Sequence, residues 1–327
     1  GSVARNKAGP MASASPGGAV RFAPTLPELS CCVLCPRACG ADRNAGHRGV
    51  CGAGASVRVA RAALHHWEEP PISGEAGSGT VFFSHCPLHC IYCQNRAIAN
   101  GDAGLDIGID RLAHIFLELQ DQGALNINLV TPTHYVPHIR IALDEARAHG
   151  LNLPIVYNTS GYEAPRAIAS LRGYVDTFLT DLRYARTETA RAFSHAPEYP
   201  RVAREALAAM AATGARVIVR ILLLPGHVGE ACENVRHVAE AYGDAVTLSL
   251  MSQYTPMRTF SQHPELSRRV TADEYEELLD FADSLGIEDY FWQDGAAAEE
   301  SFIPDFLSYE GVLVPASLDR TAVGSVG

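Results

Sequence analysis

The stretch TVFFSHCPLHCIYCQN, residues 80–95, joins a short β-rich apolar run to a loop with three thiols in eight positions. Cys86, Cys90 and Cys93 are spaced by three residues and then by two, and an odd number of thiols cannot pair off among themselves. The run at 80–84 reads as a strand because it is short, β-branched and aromatic, so the cysteines begin two residues past Phe83, just beyond the strand's carboxyl end.

The same rhythm of apolar run, polar loop, helical stretch and glycine continues outward from there. Further runs are NINLV (126–130), PIVYN (154–158), VDTFLTD (175–181), RVIVRILLL (216–224) and VTLSLM (246–251), several apolar almost throughout, as parallel strands covered on both faces are. Helical segments between them end near Gly123, Gly150, Gly214 and Gly243, where glycine supplies the left-handed cap. Six strands alternating with helices predict an α/β fold with a parallel sheet, a partial (β/α)6 barrel, with its chemistry in the loops at the strands' carboxyl ends. A last helix over 271–286 opens with a capping box between Thr271 and Glu274 and stops at Gly286.

Composition agrees with an ordinary globular chain. A length of 327 residues with 47% hydrophobic content buries a substantial core. No stretch approaches the roughly 20 apolar residues that span a bilayer, and the start lacks a secretory pattern, which predicts a cytoplasmic protein without a membrane partner. GSVARNKAGP reads as an expression-tag remnant, and the expected leader over 1–30 is too poor in large apolar groups to pack. The net charge of −11 argues against a nucleic-acid partner. It is uneven: residues 1–61 carry eight Lys or Arg and two acids, a basic end suited to an acidic redox protein or simply a solvated flank.

Nine cysteines in such a chain are not a disulfide framework. Apart from Cys31 and Cys232 they fall into two sets, which predicts two metal centres. CVLCPRACGADRNAGHRGVC places Cys32, Cys35, Cys39 and Cys51 for a closed four-thiolate site, zinc or iron–sulfur, with Cys31 or His47 as substitute ligands. In the loop, three thiolates hold three of four irons in a 4Fe-4S cluster and leave one open for an exogenous ligand. The competing reading is a zinc site completed by His85 or His89.

The motif Cys86-Pro-Leu-His-Cys90-Ile-Tyr92-Cys93 resembles that of the radical S-adenosylmethionine (SAM) superfamily, in which it follows the first strand of a partial barrel. The resemblance implies that these cysteines ligate three irons while SAM chelates the fourth. Reduction then cleaves SAM and yields a 5′-deoxyadenosyl radical that abstracts a substrate hydrogen. It also implies that Tyr92 packs beside adenine, and it makes Asn95, Thr131, Thr133, Asn158, Ser160, Asp181, Arg183, Arg220 and Gln253 candidate SAM contacts at the strand ends. TPTHY (131–135) departs from the family's Gly-Gly-Glu type turn, whereas NTSG (158–161) and DLRY (181–184) are similar to turns of glycyl-radical-enzyme activases, with Arg183 where those have lysine. LLPGH (223–227) continues the likeness; Tyr254-Thr255 stands where formate-lyase activases have Tyr-His.

Over residues 31–275 the chain is similar to the pyruvate formate-lyase activating enzyme-like family. The domains implied are a four-cysteine lobe (31–78), the barrel (79–256) and a helical extension (257–327). The implied partners are a low-potential electron donor of flavodoxin or ferredoxin type and a glycyl radical enzyme; a peptide or small-molecule substrate, and a non-catalytic metal protein, are the alternatives. In HHWEEPPISG (65–74), Glu68 and Glu69 are acid–base candidates or, more plainly, solvated glutamates.

Overall fold

The computed structural model describes residues 25–66, 69–287, 290–292 and 304–313. The rest of the expected leader, residues 1–24, lies outside them, as does Glu68.

Among the described residues nine strands form one sheet: β1 Val57–His65, β2 Ser78–Phe83, β3 Leu105–Ile107, β4 Ile127–Val130, β5 Ile155–Thr159, β6 Thr177–Asp181, β7 Arg216–Leu222, β8 Thr247–Met251 and β9 Tyr290–Trp292. Their order is β3-β1-β2-β4-β5-β6-β7-β8-β9. From β2 through β9 every neighbouring pair is parallel, while β1 runs antiparallel to both β2 and β3. The six expected strands are therefore present in sequence order within an α/β fold. A hairpin partner before them, a short edge strand and a final strand were not expected.

Side-chain alternation sorts each strand between two environments. Val81, Phe83, Ile127, Leu129, Tyr157, Phe178, Val217, Val219 and Leu248 belong to the main core, together with apolar residues of the helices Ile109–Asp121, Val136–Ala148, Tyr199–Ala211, Val228–Tyr242 and Ala272–Ser284. The intervening positions face the other way and are mixed: Thr80, Asn128 and Ser249 are buried polar groups, and Val156, Leu179 and Ile218 close around Ile72. Asn126 Nδ2 fixes this plug by donating to the Ile72 carbonyl at 2.7 Å.

Glu69 and Ile72 are thus built into the sheet's inner side. Glu69 is buried, 3.4 Å from Ser249 Oγ and 3.9 Å from Arg220, which replaces the plain expectation of a solvated glutamate.

Helix ends follow the sequence closely. Gly150 and Gly214 hold φ of +100° and +85°, and the capping box joins Thr271 and Glu274. After β9 the chain returns at 304–313, where Phe306 meets Phe82 edge-on at 5.2 Å and the Glu310 carbonyl accepts from Ala62 N. The extension thus contributes a strand and a return segment besides its helix.

The amino-terminal lobe packs on the sheet through arginine and histidine. Leu26 and Leu29 of the expected leader are buried in the main core. Arg37 donates to the carbonyls of Pro87, Ser194 and His195. The buried Arg43 reaches Gly54 O and His134 O at 2.9 and 2.7 Å. From the other side His138 Nε2 meets Ala55 O at 2.7 Å.

Candidate active site

A cavity of about 430 Å³ opens where the parallel strands end, lined by Cys86, Cys90 and Cys93. The cysteine loop leaves β2 through His85, whose φ is +74°; His89 and, after β4, Thr131 also hold left-handed backbone at +57° and +58°. Such geometry is disfavoured for residues with a Cβ, most of all for β-branched Thr131, and persists where surrounding contacts over-determine it. Gly101 is part of that constraint: a Cβ there would lie 2.2 Å from the His85 ring.

Two donors point at one sulfur. Arg183 NH1 and Ser194 Oγ lie 3.2 and 3.1 Å from Cys90 Sγ. Burial, with neighbouring thiols adding, pushes Cys86 up to about 11 and Cys93 up to about 12. Thiols in that setting become thiolates when a cation replaces their protons, which is the condition of metal ligands.

Asn158, Asp181, Arg183 and Arg220, at the ends of β5, β6 and β7, form the polar wall. Arg220 donates to Asp181 Oδ1 at 2.8 Å and to Asn158 Oδ1 at 2.7 Å; Arg183 donates to Asp181 Oδ2 at 2.6 Å. Burial works to raise Asp181, but the guanidiniums of Arg220 and Arg183 override it and hold the carboxyl below its ordinary value. Both Asp181 oxygens are engaged, so it orients the two arginines.

Of the expected SAM contacts, Asn95, Thr131, Asn158 and Ser160 line the cavity, as do Asp181, Arg183, Arg220 and Gln253. Tyr92 and Thr133 do not. Tyr92 turns into the core, its hydroxyl 2.8 Å from Tyr184 OH and its ring against Phe193 and Tyr254. Thr133 Oγ1 donates at 2.6 Å to the fully buried Glu163, which also accepts from Thr159; burial raises Glu163 to about 7. A motif fixes which residues are neighbours in sequence but not which way a side chain turns.

Both imidazoles of the zinc alternative line the same cavity; His89 Nε2 meets the Val50 carbonyl at 2.8 Å, and the His85 ring sits between Gly52 and Gly101. His65, in the loop expected near the rim, lines the cavity; sequence reasoning missed Arg96, His195 and Arg258, since nothing in their local pattern marks the cavity.

In the lobe, Cys32, Cys35 and Cys51 are buried and Cys39 is exposed. Burial raises Cys35 to about 12, and Cys51 and Cys32 lie near enough to add to the shift. Among the described residues no three of His, Cys, Asp or Glu are gathered around a point where a single ion would sit. That holds for the lobe and the loop alike. A multi-iron cluster needs sulfurs spread around a cavity, and the three loop cysteines line one. The loop residues fit a cluster.

The family model of the radical SAM superfamily matches residues 80–239. That stretch, just under half of the chain, is similar to a radical SAM domain. It starts in β2 and takes in the cysteine loop and the strand ends through β7. An uncharacterized protein of Methanocaldococcus jannaschii is 26% identical over 266 residues, covering 79% of this chain and 75% of that protein. Among solved structures, Streptococcus suis SuiB bound to S-adenosylmethionine shares 12% identity at a TM-score of 0.49, covering 68% of this chain and 52% of that one. The FeFe-hydrogenase maturase HydG from Carboxydothermus hydrogenoformans shares 14% at 0.43, covering 61% and 49%. The chain spans about half the length of these two structures. Among the described residues no helix is long and apolar enough to cross a membrane.

Proposed function

We propose that the chain is a radical SAM enzyme that abstracts hydrogen from a substrate held in the cavity beside Cys86, Cys90 and Cys93. The observation that carries this reading is that all three loop sulfurs line one cavity with the polar ends of β5, β6 and β7. When bound there, a 4Fe-4S cluster with SAM supplies one-electron cleavage of SAM and, from it, hydrogen abstraction.

The chain's own residues bind, orient and exclude water. Cys86, Cys90 and Cys93 are the ligands. Arg183, held by Asp181, places a positive charge against Cys90. Arg220, tied to Asp181 and Asn158, lines the cavity as a fixed cation that would receive a carboxylate of SAM or substrate. Phe82, Ile98 and Val130 form an apolar part of the cavity wall, keeping water from a reactive centre.

The finer reading is activation of a glycyl radical enzyme, supported by the activase-like turns at 158–161 and 181–184, whose residues Asn158, Ser160, Asp181 and Arg183 line the cavity. The exposed Arg96 and Arg258 beside it suit an acidic donor of flavodoxin or ferredoxin type. A second metal at Cys32, Cys35, Cys39 and Cys51 is supported by four thiols within mutual electrostatic reach and is checked by zinc and iron analysis.

Anaerobic reconstitution tests the proposal. It expects about four irons and four sulfides assigned to the loop, with 5′-deoxyadenosine released on adding dithionite and SAM. Zinc alone, with no SAM cleavage, overturns it. Deuterium passing into 5′-deoxyadenosine from a glycine-labelled partner enzyme selects the activase reading; transfer from a labelled peptide or metabolite selects the other.

A further inference from the structure

A second cavity, of about 210 Å³, lies on the far side of His85, between the cysteine-rich lobe and the sheet. Arg43, Arg48, His85 and Tyr135 line it, and no cysteine does. Arg43 is 1% exposed. Its Nε and NH1 are used on carbonyls and its plane lies 5.5 Å from the Tyr135 ring, but NH2 is buried without a partner. The Tyr135 hydroxyl, fully buried, lies by the Arg58 backbone amide, and its own proton has no acceptor within hydrogen-bond distance. Arg48 stands at the exposed mouth, anchored by NH1 to Gly52 O. The one acid on the wall, Asp106, is already paired with Arg58 at 3.1 Å.

A buried guanidinium with no carboxylate beside it, next to an unsatisfied hydroxyl, is an expensive arrangement for a folded chain to keep. An anion in the cavity answers both groups at once. The nearest alternative answer to Arg43 is Cys32 Sγ, 3.9 Å from NH1, but that contact uses NH1 rather than the open NH2 and does nothing for Tyr135.

We infer that this cavity is a binding site for a phosphate-class oxyanion, held by Arg43, Arg48 and the Tyr135 hydroxyl. Donors reaching in from the lobe on one side and Tyr135 on the other suit a tetrahedral anion better than a flat carboxylate. The site is independent of the radical chemistry proposed above. Because the His85 ring lines both cavities, its ligand would press on the residue that leads into the cysteine loop.

The test is titration of the full-length, metal-loaded chain with inorganic phosphate at constant ionic strength, read by calorimetry and by melting temperature. Saturable binding with a raised melting temperature is expected. Tyr135→Phe and Arg48→Gln should each weaken it about tenfold or more. Tyr135→Phe alone, without phosphate, should melt no lower than the parent, since it removes an unsatisfied hydroxyl. Tighter binding of an alkyl phosphate monoester than of free phosphate would support the site and place the anion at the end of a larger ligand. No saturable effect, binding in both variants as tight as in the parent, or saturation by acetate but not phosphate would overturn the assignment. The first of these is the result expected if Cys32 is Arg43's only counter-charge.

Discussion

The two cysteine groups differ in what their sulfurs face. In the loop, Cys86, Cys90 and Cys93 border a cavity of about 430 Å³, and polar donors from Arg183 and Ser194 converge on Cys90. In the lobe, Cys32, Cys35 and Cys51 are buried, line neither cavity, and find backbone: Ala53 N lies 3.5 Å from Cys51 Sγ. A thiol group that opens on space is suited to reacting with another molecule, and one enclosed by its own chain is suited to holding that chain together. Sequence spacing makes both look like metal ligands; only surroundings separate a reactive set from a structural one.

The largest expected effect breaks the pair apart. Cys90→Ala should abolish iron–sulfur incorporation at the loop and with it all 5′-deoxyadenosine formation, while changing the melting temperature little. Cys35→Ala should do the reverse, lowering stability while each folded chain still cleaves SAM. Iron content, product assay and thermal melts on the two variants decide it; activity that follows Cys35 and ignores Cys90 would invert the comparison.

Next is the charge frame of the reactive side. Asp181→Asn leaves the guanidiniums of Arg183 and Arg220 facing each other without their shared counter-charge. Both side chains are mostly buried, at 23% and 15% exposed, so the loss should be about 3 kcal/mol in urea unfolding. A change below about 1 kcal/mol would mean that cavity water already screens the arginines.

The lobe side has a different weakness, towards acid. Burial lowers His138 from its ordinary value to about 4 while it donates to Ala55 O across the seam. Above the unfolded value near 6.5 the ring is neutral in both states and its contribution is complete. As pH falls from there towards 4 the unfolded chain takes up a proton that the folded chain refuses, and about 3 kcal/mol is lost on the scale of 1.36 kcal/mol per pKa unit. Hydrogen exchange should therefore show the seam at Ala55 opening within that window, earlier than β5 and β6, and His138→Gln should flatten the pH dependence.

The line between legible and hidden features follows the same contrast. The six parallel strands were readable because burial on both faces leaves apolar runs, and the cysteine loop because its spacing is compact. β1 was not, since Arg58 and Arg61 interrupt its apolar pattern and antiparallel pairing lets them reach Asp106 and Glu310. β3 and β9, three residues each, are too short to show a period. In the candidate site the residues named from the ends of β5, β6 and β7 line the cavity, whereas Tyr92 and Thr133 do not, because the local turn, not composition, aims them at Tyr184 and Glu163. Glu69, Arg43 and Glu163 look like ordinary surface residues in sequence, and only distant segments packing over them make them buried.

The smallest effect concerns a single hydroxyl. Ser194 Oγ links Tyr184 OH, at 2.6 Å, to Cys90 Sγ, at 3.1 Å, so the loop sulfur is tied into a buried hydrogen-bonded chain. Ser194→Ala removes one modest interaction at each end, and in the metal-free chain it should lower stability by about 1 kcal/mol. In the loaded chain a donor on a ligand sulfur draws off part of its negative charge and favours the reduced state, so its removal should move the midpoint potential in an EPR-monitored titration to more negative values. The same hydroxyl deletion has no counterpart in the lobe, where the recorded donors to Cys51 and Cys32 are a backbone amide and the Arg43 guanidinium. A stability loss without any shift in potential would show that Ser194 serves Tyr184 alone, and the polar frame of the loop would then rest on Arg183.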